Sequence, residues 1–274
     1  MPASGASELR LRLVSACLFS PAMLAAAYFG GIAFFALVLL IAVRGTWEFY
    51  CMAATAGWRP QRLLGVAASA GICCYIYIFG AGDLHIPLVL VVLLGVLAAL
   101  RTGTEKYVGN AFLTVGGVLY IGFLGGISLL LDAALEAQGG GGRFLLLSLF
   151  FCIGFTDAGA YASGRLWGKR KLAPGISPAK TVAGFVGGLA AGQIPLLLVG
   201  HIGFLGIGAL AGLFLAVSVT GQLGDLVESA IKRDFGVKDA PAFIPGHGGA
   251  LDRFDSSLVA FPTAYLYLKA VLGS

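Results

Sequence analysis

Apolar residues in this chain come in long runs, and the charged ones collect in the short stretches between them. Runs lie near 13–29, 32–47, 63–80, 84–100, 108–131, 143–162, 181–199, 203–224 and 254–272. The uncharged stretch 13–43 is too long for one crossing and divides at Gly30-Gly31. Crossing the hydrocarbon core of a bilayer takes about 20 apolar residues in a helix. The pattern therefore predicts an all-α, polytopic membrane bundle of about nine transmembrane helices.

Composition removes the soluble alternative. Hydrophobic residues make up 58% of the 274 and charged residues 11%, with a mean hydropathy of +0.93; soluble domains carry roughly a quarter charged residues. A chain of this length could not cover so much apolar surface with so few polar groups. Cys17, Cys51, Cys73, Cys74 and Cys152 lie in or beside apolar runs without metal-ligand spacing. They read as small packing residues, with no disulfide framework.

The distribution of charge gives orientation. With a cytoplasmic N-terminus, all of the 18 lysines and arginines except Arg143 and Lys269 fall on the inner side, as the positive-inside rule requires. Nine crossings then leave the C-terminus outside. Arg10 and Arg12 before an apolar run ending in "AMLAAAYF" also have the look of a signal peptide. We read that run as the first crossing; cleavage would leave the orientation downstream unchanged. "EAQGGGGR", 136–143, reads as a flexible external loop. Residues 1–150 read as scaffold helices, and 151–274 as a catalytic region with two cytoplasmic motif loops.

The candidate chemistry lies in that second region. Asp157, Asp225 and Glu228 fall in or at the edges of apolar helices. A charge at mid-membrane costs roughly 2.5–3.5 kcal/mol on insertion scales, so it has a partner or a task. For Asp157 both remain open, with Arg165 two turns further along as the partner. Asp225 and Glu228 share a helix face at i, i+3, with Ser229 beside the first and Lys232 and Arg233 following. Asp252 and Asp255 repeat the spacing around Arg253. Two such pairs bordering one loop suggest oxygen ligands for magnesium, a hard cation that keeps waters and a phosphate in its shell. Solvated loop charges give similar spacing.

Between the pairs stands "FIPGHGGALDRFDS", 243–256. Pro245 fixes its backbone, and Gly246, Gly248 and Gly249 can turn amides toward an anion. Lys232, Arg233, Lys238 and Arg253 add cations, and His247 reads either as structural or as a phosphate or proton-transfer group. In the upstream basic loop, 164–184, Ser177, Lys180 and Thr181 precede a helix whose N-terminus suits a polyanion or an anionic headgroup.

The segment "SAIKRDFGVKDAPAFIPGHGGALDRFDS", 229–256, resembles the signature of the phosphatidate cytidylyltransferases, or CDP-diacylglycerol synthases. "DAGAYASGRLWGKRKLAPGISPAKT", 157–181, is similar to a second segment of that family. The N-terminal half matches only in being hydrophobic. The chain departs from the family pattern at Ala158, Ala179 and Ala183, leaving the upstream loop one cation short.

The resemblance implies a magnesium-dependent membrane nucleotidyltransferase of phospholipid biosynthesis. CTP and phosphatidate would give CDP-diacylglycerol and pyrophosphate. It implies Asp225 and Asp252 as metal ligands with Glu228 and Asp255 in support, and Asp225, Asp252, Lys232 and Arg253 as the catalytic set. Ser177, Lys180, Thr181, Ser229, Arg233, Lys238, His247, Gly248, Gly249 and Asp255 would contact substrate. The expected partners are CTP, phosphatidate and the bilayer, without nucleic acid; a homodimer is compatible with this reading. The expected location is a bacterial inner membrane, with the active site facing the cytoplasm. Three rivals remain: an enzyme of another nucleotide-activated lipid, a family member that has lost catalysis, and a transporter, since intramembrane acids also mark ion paths. A transporter would spread its polar residues through both halves, whereas here they cluster in one.

Overall fold

The structure is a computed structural model that describes residues 20–200, 205–241 and 248–273. Helix dominates because a backbone in lipid must satisfy its own polar groups. Ser20–Phe29 forms α1. Gly31–Thr55 (α2), Arg62–Phe79 (α3) and His85–Ala99 (α4) follow, and Tyr107–Gly117 (α5) runs through a π turn at Val118–Phe123 into Leu124–Glu136 (α6). Next come Gly140–Trp167 (α7), strands Lys171–Ala173 (β1) and Ser177–Thr181 (β2), Val182–Ala191 (α8), Leu196–Val199 (α9), Ile207–Asp234 (α10) and Leu251–Leu272 (α11).

Among the described residues, seven helices are long and apolar enough to cross a membrane: Gly31–Thr55, Arg62–Phe79, His85–Thr102, Tyr107–Glu136, Gly140–Trp167, Val182–Val199 and Ile207–Asp234. The protein is thus a multi-pass membrane protein. The predicted first run, 13–29, begins outside the described residues, and only the short helix α1 represents it. The last run, 254–272, is helical as α11, but Asp252, Arg253, Asp255 and Lys269 make that helix more polar than the seven. The predicted break at Gly30-Gly31 is present, with φ of 61° and 51°, a left-handed conformation that glycine adopts without strain.

One feature departs from an all-helical bundle. The upstream basic loop folds as an antiparallel hairpin pairing Lys171 with Thr181 and Ala173 with Ser177. Pro174-Gly175 lies at its turn, a dipeptide suited to reversing the chain.

The chain divides into two compact units, Met1–Leu129 with Asp234–Phe254, and Leu130–Arg233 with Asp255–Ser274. In the first, Phe34, Tyr50, Met52, Ile72 and Ile121 are fully buried. Lipid gives helices no hydrophobic reason to associate, so small residues and hydrogen bonds do the joining. The Tyr50 hydroxyl accordingly donates to the Thr114 carbonyl at 2.6 Å, and the hydroxyls of Thr46 and Ser69 lie 2.9 Å apart.

The second unit uses the same device. A Cβ on Gly187 would lie 2.0 Å from Ser163 Oγ, so α8 approaches α7 where a side chain could not fit. Thr156 Oγ1 donates to Ser218 Oγ at 2.9 Å, tying α7 to α10. Arg143 forms ion pairs with Asp132 and Glu136 across the α6–α7 turn. The described cysteines, Cys51, Cys73, Cys74 and Cys152, are free.

Candidate active site

In the second unit, β2 delivers Lys180 one residue before Thr181, which caps α8. The Thr181 hydroxyl accepts from the Gly184 amide at 3.0 Å, occupying one of the donors a helix start leaves open. Lys180 Nζ lies 2.7 Å from Asp225 Oδ2 on α10. Ser229, one turn on, donates to Asp225 Oδ1 at 3.4 Å. The Asp225 side chain is 36% exposed, whereas the Lys180 Nζ is itself buried against it, so the pair is reached from the Asp225 side.

The pair forms part of the wall of a cavity of about 420 Å³, with Asp157, Tyr161, Arg165 and Gln222 also lining it. Asp157 and Arg165 do not pair; Arg165 donates to the Tyr161 hydroxyl at 3.0 Å. Asp157, Asp225 and Asp255 lie within electrostatic range of one another, and Lys180 acts on Asp157 with the opposite sign. Asp255 Oδ1 accepts from the Ser256 amide at 2.6 Å.

Other residues read from the sequence stand elsewhere. Glu228 is fully buried and pairs with Lys232, 2.5 Å from its Oε2, and neither residue lines the cavity. Ser177 opens β2, half-buried opposite Ala173. Arg233, Lys238 and Arg253 are exposed. His247 lies outside the described residues.

Residues 248–254 of the signature segment belong to the first unit. Asp252 opens α11, and its Oδ2 accepts from the amides of Gly249 at 3.2 Å and Ala240 at 3.1 Å. Gly248 has φ of 79°. A Cβ on Gly249 would stand 2.6 Å from Glu48 Oε2 and 2.7 Å from the Ala240 Cβ. Glu48, which the motif reading passed over, accepts from the amides of Ala250 and Leu251 at 3.0 and 2.9 Å. A lone acid closing an otherwise apolar run was the available signal.

Among the described residues, no three His, Cys, Asp or Glu side chains gather closely enough to hold a metal by themselves. The donors on offer are carboxylate oxygens with a lysine beside them. That arrangement suits a cation whose shell is completed by phosphates and water.

Proteins named phosphatidate cytidylyltransferase resemble this chain over part of its length. Those of Staphylococcus aureus (strain COL), Staphylococcus haemolyticus and Staphylococcus saprophyticus are 47%, 48% and 49% identical over 129 residues, covering 46% of this chain and 50% of each of theirs. The chain thus spans about half the length of the curated relatives it matches. A model of the cytidylyltransferase family matches residues 10–271, nearly the whole chain, including both motif loops and the cavity residues. On that match, this chain belongs to the cytidylyltransferase family.

Proposed function

We propose that the protein is a phosphatidate cytidylyltransferase, forming CDP-diacylglycerol and pyrophosphate from CTP and phosphatidate. The observation that carries this reading is the Lys180–Asp225 pair in the wall of a cavity shared with Asp157 and Arg165. A phosphate oxygen of the lipid attacks the α-phosphorus of CTP. The bond from that phosphorus to the bridging oxygen breaks, and pyrophosphate leaves with the electron pair. The attacking group is already an anion at neutral pH, so the protein's main task is to position two phosphates and neutralise their charge. Lys180 and Arg165 serve that task from the cavity wall.

The magnesium implied by the family resemblance fits this donor set. Asp225 and Asp157, which line the cavity, offer hard oxygens, and Asp255 adds negative charge within electrostatic range of both. When bound there it would neutralise triphosphate charge. The sequence also assigned Asp252 and Glu228 to the metal. Asp252 holds the amides of Gly249 and Ala240 within the first unit, and Glu228 pairs with Lys232 without lining the cavity.

Nine crossings, a cytoplasmic N-terminus and both motif loops facing the cytoplasm of a bacterial inner membrane complete the proposal. The test is pyrophosphate release by purified protein given CTP, phosphatidate and magnesium, with each omitted in turn and CTP replaced by ATP, GTP or UTP. Release that requires all three, with a CDP-lipid product, supports the reading. A product formed only from another lipid points to the rival lipid enzyme, and no release from folded protein overturns the activity.

A further inference from the structure

We propose that Glu48 is a positioning residue for the signature segment, its carboxylate clamping the backbone that carries Asp252. Glu48 lies in α2, is 0% exposed, and belongs to a helix long and apolar enough to cross a membrane. A carboxylate there is retained only where donors offset its lost hydration. Its donors come from 202 and 203 residues away. Oε1 accepts from the Ala250 amide at 3.0 Å and Oε2 from the Leu251 amide at 2.9 Å. Arg44 adds a guanidinium 3.5 Å from Oε1.

Those amides stand at the start of α11, where backbone donors have no partner inside the helix and the helix dipole favours negative charge. Such donors are ordinarily capped by a neighbouring side chain. Here Asp252 takes the Gly249 amide and Glu48 takes the next two, so two carboxylates hold three consecutive N–H groups. Gly249 leaves room for this, since a Cβ there would stand 2.6 Å from Glu48 Oε2. Asp252 also holds the Ala240 amide at 3.1 Å. Glu48 therefore fixes the backbone on which Asp252 is mounted, and acts on substrate only through it. Its effect on turnover rests on the function proposed above; the clamp itself does not.

The test compares Glu48→Gln with wild type in nanodiscs. Glutamine keeps one acceptor but turns an NH2 toward a backbone N–H, breaking half of the clamp at nearly constant volume. Tyr50→Phe is the control, because it loses a buried hydrogen bond in the same helix without touching the segment. Hydrogen exchange is read on peptides covering 248–256, together with kcat and KM for CTP. For Glu48→Gln, exchange there rises about tenfold while protection elsewhere matches the control. Its kcat falls roughly 10–100-fold with KM for CTP little changed, the size expected when a group is displaced by about 1 Å. Should Glu48→Gln fail to fold, Glu48→Asp keeps charge and acceptors at shorter reach, and the same local rise in exchange is expected. Unchanged exchange at 248–256, or a kcat per folded molecule equal to the control's, overturns the proposal. If wild type itself releases no pyrophosphate, the functional reading fails and the exchange measurement still decides the clamp.

Discussion

Single side chains in this protein hold structure and carry charge at once, and substitutions can separate the two. Asp252 accepts both the Gly249 and the Ala240 amides at one oxygen. Asparagine retains an oxygen there, whereas alanine does not. We expect Asp252→Asn to lower turnover by about two orders of magnitude or more with a nearly unchanged thermal midpoint. Asp252→Ala should in addition lose roughly 1–3 kcal/mol of stability by orphaning buried amides. Wild-type rates in Asp252→Asn would remove this residue from the chemistry. Lys180 gives the converse case. Its partner Asp225 is 36% exposed and can be hydrated once the ammonium is removed, so Lys180→Met should cost no more than about 1 kcal/mol of stability while raising KM for CTP. Isothermal titration with a non-hydrolysable CTP analogue and a melt in detergent measure the two effects separately. Lys180 and Asp225 were legible from the sequence because charge in so apolar a chain needs a reason. That each is the other's partner was not, since they stand 45 positions apart and spacing carries no information about pairs on different elements.

At the scale of elements, the second unit depends on how β2 hands the chain to α8. Thr181 ends the strand and caps the helix through the Gly184 amide. Thr181→Ala should cost about 1 kcal/mol and displace Lys180, while Thr181→Ser retains the cap and near wild-type stability; thermal melts of the three proteins check this. Equal midpoints for the alanine and serine variants would show that the hydroxyl contributes nothing. The cap was legible as a hydroxyl before a helix, and the hairpin was not. Its residues "KLAPGISPAKT" read as an ordinary basic loop, and two short strands acquire their meaning only by pairing with each other. The helices also outrun the apolar runs that predicted them. The run 32–47 belongs to a helix ending at Thr55, and residues 207–224 of the run 203–224 to one ending at Asp234. Hydropathy marks where lipid is, whereas the hydrogen-bond ladder continues past it. The extensions carry Glu48, Asp225, Glu228 and Lys232.

For the whole molecule, the charge asymmetry predicts which loops face which compartment. In a cysteine-free background, a cysteine placed at Gln138 should react with an impermeant maleimide applied outside intact cells, and one at Gly175 only after permeabilisation. The reverse pattern would invert the topology. The sequence by itself determined that this is a multi-pass helical membrane protein, because about 20 uncharged residues in a row have no other stable environment. It also determined the family resemblance, because the signature is contiguous in the chain. Tertiary structure alone decided which carboxylate meets which donor. Lys180 found Asp225, Glu228 found Lys232 and not the cavity, and Glu48 reached the amides of Ala250 and Leu251. A buried charge must be matched by whatever the fold brings within about 3 Å, and that distance is set by packing between segments far apart in the chain.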